Sequence, residues 1–222
     1  MIDDLPPGSD PERVLALSYA ATDRRPDLAS IWALDLTLGN IVRAARDMMV
    51  GQLRLTWWRD ALLKLDHDSP PATPVLVALA RMTNGKSVTG ERLAGMIDGW
   101  EILLDPDFLD DAALDRYAVD RGAAMFKIAA MALACDDPRV GPAGEGWALA
   151  DLARHTGDAA LRKRAWAAAK FRLDPLFDVR WPVPLRPLGA ITALARDDAR
   201  SGGGAGGVQR VVRMLRHRIT GR

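Results

Sequence analysis

Apolar positions recur three and four residues apart along most of this chain, and no segment alternates apolar with polar at every second residue. That pattern predicts helices and no strands. A capping Ser9 or Asp10, Pro11 in the first turn and Glu12 close behind mark a helix start, which Val14, Leu15, Leu17 and Tyr19 extend to about Thr22. Asp27 opens a second helix through Ile31, Trp32, Leu34 and Leu38, interrupted at Gly39-Asn40. Neither Gly nor Pro falls within Gln52–Leu65, a third helix, and a polar, proline-bearing stretch follows it. Thr73 or Pro74 begins a short helix through Met82, closed by Asn84-Gly85. Thr89–Leu104 is helical and ends at Asp105-Pro106, and Asp110–Ala134 reads as one long helix. Gly141–Gly146 is expected to break the chain before helices at Trp147–His155 and Ala159–Phe171. The prolines crowded between Asp174 and Pro187 exclude helix there. Leu188–Asp198 resumes helix, and Val208–Ile219 forms the last one. The expectation is an all-α bundle of about nine helices. Residues 1–200 make one domain, 201–207 a glycine-rich tether, and 208–222 a basic amphipathic helix.

Two segments carry information beyond their helicity. At about 100° per residue, Leu53, Leu55, Trp57, Trp58, Ala61, Leu62 and Leu65 fill one broad arc, with Gln52, Thr56, Arg59 and Asp60 opposite. Arg54 falls inside the apolar arc, where a guanidinium needs a partner to offset lost hydration. Either it is tied to an internal Asp or Glu in a core helix, or the helix lines a cavity for a polar-headed, apolar-tailed ligand. In the last helix Val208, Val211, Val212, Leu215 and Ile219 share one face, and 208–222 contains no acid. Such a helix either packs its apolar face on the bundle or lies on an anionic membrane surface or acidic partner.

Composition narrows the classes. The chain has 222 residues, 49% hydrophobic and 27% charged, which suits one globular core. A net charge of +1 argues against a general nucleic-acid binder. Arginine dominates the basic residues and Ala, Gly and Asp are abundant, as in proteins of GC-rich bacterial genomes. The lone Cys135 excludes an internal disulfide, and the acidic, proline-bearing start lacks the pattern of a signal peptide. With no run of about eighteen apolar residues, a cytoplasmic protein is expected. His67, His155 and His217 are too scattered for a metal site, and nucleophile-elbow, phosphate-loop and dinucleotide motifs are absent.

Arg24-Arg25-Pro26-Asp27-Leu28-Ala29, Trp32-Ala33-Leu34, Gly51-Gln52-Leu53-Arg54-Leu55 and Trp57-Trp58-Arg59-Asp60-Ala61-Leu62, taken in order, resemble the squalene/phytoene synthase family. The resemblance spans roughly Pro11–Ala168 and is closest to short, divergent members related to a mitochondrial complex I assembly factor. It implies an isoprenoid (terpenoid) synthase-like bundle, in which two aspartate-rich motifs face each other and hold a diphosphate through Mg²⁺. The first should follow Trp32-Ala33-Leu34 as an Asp-Asp-x-x-Asp run. Here the region 37–47 keeps one carboxylate, Asp47, beside Arg43 and Arg46. The second should read Asn-x-x-Arg-Asp-x-x-x-Asp. Asp151-Leu152-Ala153-Arg154-His155-Thr156-Gly157-Asp158-Ala159 keeps Arg154 but puts His155 and Ala159 at the metal-binding positions, with Asp158 one residue out of register.

Tyr117-Ala118-Val119-Asp120-Arg121-Gly122-Ala123 resembles a family helix whose tyrosine faces the cavity, although Asp120-Arg121 is foreign to it and reads as an exposed pair. Met96-Ile97-Asp98-Gly99-Trp100 resembles the helix before it. The expectation is therefore a synthase-like protein that has lost Mg²⁺-dependent prenyl transfer and acts by binding a lipid-like ligand, a respiratory complex I assembly partner, or both. No cofactor is expected. The alternatives are an active prenyl-diphosphate transferase, which would need Mg²⁺, or an all-α interaction module without ligand. No residue is assigned as catalytic. Candidates to line a cavity or bind ligand are Arg24, Arg25, Gln52, Arg54, Trp58, Arg59, Asp98, Tyr117, Asp151 and Arg154. Peripheral contact at the inner membrane is expected to run through 208–222.

Overall fold

A computed structural model describes residues 10–83, 87–105, 109–203 and 206–222. Among these there are eleven α-helices and no strand. The N-terminal stretch, the Asn84-Gly85 stop, Pro106 and the middle of the glycine run lie outside the described residues.

Helix α1 is Pro11–Leu17, and Asp10 caps it by accepting the Glu12 N–H at 2.9 Å. It stops short of Thr22 because other donors take its last carbonyls. The Ser18 hydroxyl donates to Leu15, and Arg25 donates to the carbonyls of Ser18 and Ala20 at 2.9 and 3.0 Å. Helix α2, Arg25–Ala44, runs straight through Gly39-Asn40. Gly39 serves packing there, since a Cβ would sit 2.7 Å from the Trp100 ring.

Helix α3, Met48–Leu63, begins before Gly51, because the Asp47 carboxylate accepts the N–H groups of Met49 and Val50 at 2.7 and 3.3 Å. Its buried side is narrower than the sequence suggested. Leu55, Trp58, Ala61 and Leu62 face the core, whereas Leu53 is 65% exposed and Trp57 48% exposed, with Trp57 set edge-on to Trp58. Arg54 is exposed and has no acidic partner among the described residues, so the expectation that it is buried and paired is wrong. The helix lies at the outside of the bundle, where neighbours cover one side only.

Helices α4, Pro74–Thr83, and α5, Gly90–Glu101, follow, the second prolonged by a 3₁₀ turn at Ile102–Leu104. The expected long helix from Asp110 is α6, Asp111–Tyr117, a π-helical segment at Ala118–Ala123, and α7, Ala124–Ala132. Helix α8, Val140–His155, passes through the predicted break at Gly141–Gly146. The reason is close crossing. A Cβ on Gly144 would lie 2.1 Å from the Gly122 carbonyl oxygen, and one on Gly122 would lie 2.2 Å from the Gly144 oxygen. The glycines bring α8 against the π segment backbone to backbone, and the rest of α8 packs on α7, α9 and α10.

Helix α9 is Ala159–Leu173, capped by Asp158. The proline-rich stretch contains only 3₁₀ turns at Asp174–Phe177 and Val183–Leu185 before α10, Arg186–Ser201. Gly202 ends α10 in the left-handed conformation at φ 73°. Helix α11, Gly207–Thr220, docks with its basic side inward. Met214 and His217 are buried, while Val208, Val211, Val212, Leu215 and Ile219 all face out.

Candidate functional site

The polar centre of the bundle is built on two side chains that are almost fully buried, Asp35 of α2 (1% exposed) and Arg121 of the π segment (2%). Asp35 is a lone carboxylate in the apolar run Leu34-Asp35-Leu36. Its Oδ1 accepts Arg121 Nε at 3.0 Å and Trp100 Nε1 at 3.1 Å. Its Oδ2 accepts Arg121 Nη2 at 3.1 Å and Arg13 Nη2 at 2.8 Å. Arg121 Nη2 also lies 2.8 Å from Asp151 Oδ2 on α8, and Nη1 donates to the Tyr117 hydroxyl. The guanidinium stacks 3.9 Å from the centre of the Trp100 ring and 4.9 Å from that of Trp147.

This geometry follows from local sequence. Tyr117 and Arg121 are four residues apart and share a helical face, and the π segment, with its wider turn, carries that face inward. Gly99 makes the approach feasible, since a Cβ there would sit 2.4 Å from the Arg121 backbone nitrogen. Electrostatics match the contacts. Burial alone would raise the carboxyl pKa of Asp35, but Arg121 and Arg13 outweigh it and hold the group below its ordinary value. Asp151 is likewise pushed up by burial and held well below the usual range by Arg121 and by its contact with His155. Burial raises the Tyr117 phenol, which therefore stays protonated.

The charges continue outward as one chain. Asp151 lies 3.7 Å from Arg154, and Arg154 lies 3.4 Å from Asp198 and 3.8 Å from Glu12. Arg210 of α11 then joins Asp198 to Glu12. Four acids (Asp35, Asp151, Asp198, Glu12) thus meet four arginines (Arg13, Arg121, Arg154, Arg210).

Of the residues expected at a site, Tyr117, Asp151 and Arg154 come together here; Arg24, Arg25, Gln52, Arg54, Trp58, Arg59 and Asp98 do not. Arg24 reaches the Ala132 carbonyl at 3.3 Å, and Arg25 closes the end of α1. Gln52 and Arg54 are solvent-exposed and Trp58 is core. Arg59 bridges Asp98 at 2.6 Å and Glu101 at 3.2 Å, linking α3 to α5 at the surface. Screening keeps such a pair weak, so Asp98→Ala is expected to change stability by no more than about 1 kcal/mol in thermal unfolding. Asp35, Arg13 and Arg121 were missed as site residues. An acid inside a run of leucines was the available signal for the first, and the four-residue spacing from Tyr117 for the last.

The carboxylates of the two degenerate motifs all have structural employment. Asp47 caps α3, Asp158 caps α9 by accepting the N–H groups of Ala160 and Leu161 at 2.7 and 3.2 Å, and Asp151 is paired with Arg121. His155 is exposed and turned back on Asp151. Among the described residues no group of three or more His, Cys, Asp or Glu side chains is arranged to hold a metal ion.

Comparison with known proteins agrees with this architecture. A search of the curated proteins found no match. Among solved structures, a dehydrosqualene synthase in complex with ligand superposes with a TM-score of 0.72 at 12% identity, over 94% of this chain and 90% of that one. At that identity the likeness is one of fold. The sequence profile described as squalene/phytoene synthase matches residues 7–166, most of the chain. The chain belongs to the squalene/phytoene synthase family.

Proposed function

We propose that this family member works by binding and not by Mg²⁺-dependent prenyl transfer. The observation that carries the reading is the engagement of every carboxylate left in the two motif regions. Asp47 and Asp158 hold helix ends, and Asp151 holds Arg121. A magnesium cluster on a diphosphate needs several carboxylates free to turn toward one point. These residues do not fit one. Recruiting Asp151 to a metal would leave the buried Arg121 guanidinium short of a counter-charge, and His155 and Ala159 add no carboxylate.

What is bound, in this reading, is a lipid-like ligand or a protein partner in respiratory complex I assembly, a role suggested by the sequence resemblance. The apolar side of α11 faces outward, which supports peripheral membrane contact through 208–222. None of the described helices is long and apolar enough to cross a membrane.

The test is direct. Purified protein incubated with Mg²⁺ and farnesyl or geranylgeranyl diphosphate is expected to form no product above a no-enzyme control. Product above that control would overturn the reading and establish an active transferase. His155→Asp combined with Ala159→Asp is expected to stay inactive as well, because the facing side offers only Asp35, held by Arg13 and Arg121, and the capping Asp47.

A further inference from the structure

Beside α11 lies a cleft of about 370 Å³ whose walls carry Arg196, Arg200, Arg213, Arg216 and Arg222. Two of the five come from α10, two from α11, and Arg222 follows α11. Phe177 forms part of the wall, with the guanidinium of Arg196 5.0 Å and that of Arg213 5.9 Å from its ring centre. Three of these cations are matched. Arg196 and Arg200 share Asp174, at 3.5 and 2.7 Å, and Arg213 takes Asp197 at 2.9 Å. Arg216 and Arg222 are exposed and have no carboxylate within salt-bridge distance among the described residues. Five guanidinium groups against the side-chain carboxylates of Asp174 and Asp197, with the Arg222 main-chain oxygen accepting from Arg213 at 3.3 Å, leave a concave surface with an excess of guanidinium donors, whose planar fork suits phosphate oxygens.

The cleft opens next to the outward apolar stripe. Val212 of the stripe and Arg216 of the cleft are four residues apart on α11, so they are neighbours on its surface. A second depression, lined by Val212, Arg213 and Arg216 together with Asp197 and Asp198, which are paired with Arg213 and Arg210, shares residues with both features. Aliphatic side chains beside an arginine-rich hollow present two chemistries to one object, hydrocarbon and phosphate. We propose that the α10–α11 cleft binds the phosphate headgroup of an anionic phospholipid while the Val208–Ile219 stripe of α11 enters the hydrocarbon margin of the same leaflet. A second copy of this chain fits poorly, because a two-fold contact through the stripe would set the flanking Arg216 and Arg218 of one copy against those of the other. An acidic or phosphorylated peptide would use the cleft but leave the stripe uncovered.

This proposal rests on the membrane reading of α11, and its test separates the two. Full-length protein is mixed with vesicles of phosphatidylcholine alone and of phosphatidylcholine containing phosphatidic acid. In parallel, calorimetry follows binding of a short-chain, water-soluble phosphatidic acid and of inorganic phosphate. The wild type is expected to sediment with the anionic vesicles only. Arg216→Gln with Arg222→Gln should weaken that binding by about fivefold per arginine, roughly 25-fold together, and should also abolish the calorimetric signal. Val212→Asn with Ile219→Asn should lose the vesicles yet still bind the short-chain lipid. All four side chains are exposed, so circular dichroism is expected to show wild-type helicity in both variants. If the arginine variant sediments like wild type, the headgroup site is wrong while the membrane reading stands. If the wild type ignores anionic vesicles, the membrane reading falls and the proposal with it. Calorimetric binding of inorganic phosphate as tight as that of the soluble lipid would make the cleft a free-phosphate site and overturn the lipid assignment.

Discussion

Arg121→Met is expected to lower the free energy of unfolding by about 3–5 kcal/mol. The substitution keeps most of the side-chain volume but leaves Asp35 with Arg13 as its sole cationic partner and removes the guanidinium from Asp151. It also strips a hydrogen bond from the buried Tyr117 hydroxyl and the cation from the Trp100 face. Stranded buried carboxylates respond by taking up protons, so the variant should lose relatively less stability at pH 4 than at pH 7. Asp35→Asn in the Arg121→Met background should cost less than the sum of the single changes, since the two residues are direct partners. Urea unfolding at both pH values measures all of this. A loss below about 1 kcal/mol would mean that water reaches the centre and the network is not closed as described.

The second large effect is a pH dependence set by His217. The imidazole is fully buried on α11 among Trp181, Phe177 and Gly189, with neither ring nitrogen hydrogen-bonded among the described residues. Burial, with Arg213, Arg186 and Arg139 nearby, pushes its pKa down to about 3. The folded protein therefore keeps His217 neutral, whereas the unfolded chain protonates it near pH 6.5. Below that pH the unfolded state binds the extra proton, so stability present above about pH 6.5 is lost as pH falls toward 3. Between pH 7.5 and 5 the loss should reach about 2 kcal/mol. His217→Leu should remove it, and the difference between the two proteins in urea at pH 7.5 and pH 5 is the measurement. Equal pH losses in both would rule the effect out. The comparison also cancels other titrations. His155, raised by its bond to Asp151, stabilises the fold below its unfolded pKa and loses that effect as pH rises through its folded value. The contributions of Asp35 and Asp151 fade only in stronger acid.

How much of this was legible depended on what each residue needed to know about distant ones. Helix positions were readable because their periodicity is local, and Asp10, Thr89 and Asp158 sit at the starts where capping chemistry puts them. Gly39 and Gly141–Gly146 misled, since a glycine that breaks a helix and one that lets another helix approach look alike in sequence. The wheel through Gln52–Leu65 found the apolar arc but not how much of it neighbours cover, hence the errors at Arg54 and Trp57. For α11 the sequence left both orientations of the apolar face open, and the face turns outward. Arg210 and Arg213 have acids waiting across the interface: Glu12 on α1 is 198 residues from Arg210, and Asp198 and Asp197, only 12 and 16 residues back, sit on a different helix, α10. Arg121 illustrates the same limit: charged residues look solvated until their counter-charges, here on α2 and α8, are placed.

The π segment at Ala118–Ala123 also gives this part of the chain latitude in its length. Its widened turn takes up one residue more than an α-helical turn would, so α6 and α7 keep the phase of one continuous helix on either side of it. Deleting the half-exposed Val119 removes no core side chain and would let the backbone close as continuous α-helix, with α7 keeping its phase against α6. Met125, Phe126 and Ile128 would stay inward, and the change would fall on the segment itself, where Arg121 would stand three residues from Tyr117 and no longer four. The extra residue thus serves the placement of Arg121 against Asp35 and not the course of the helices on either side.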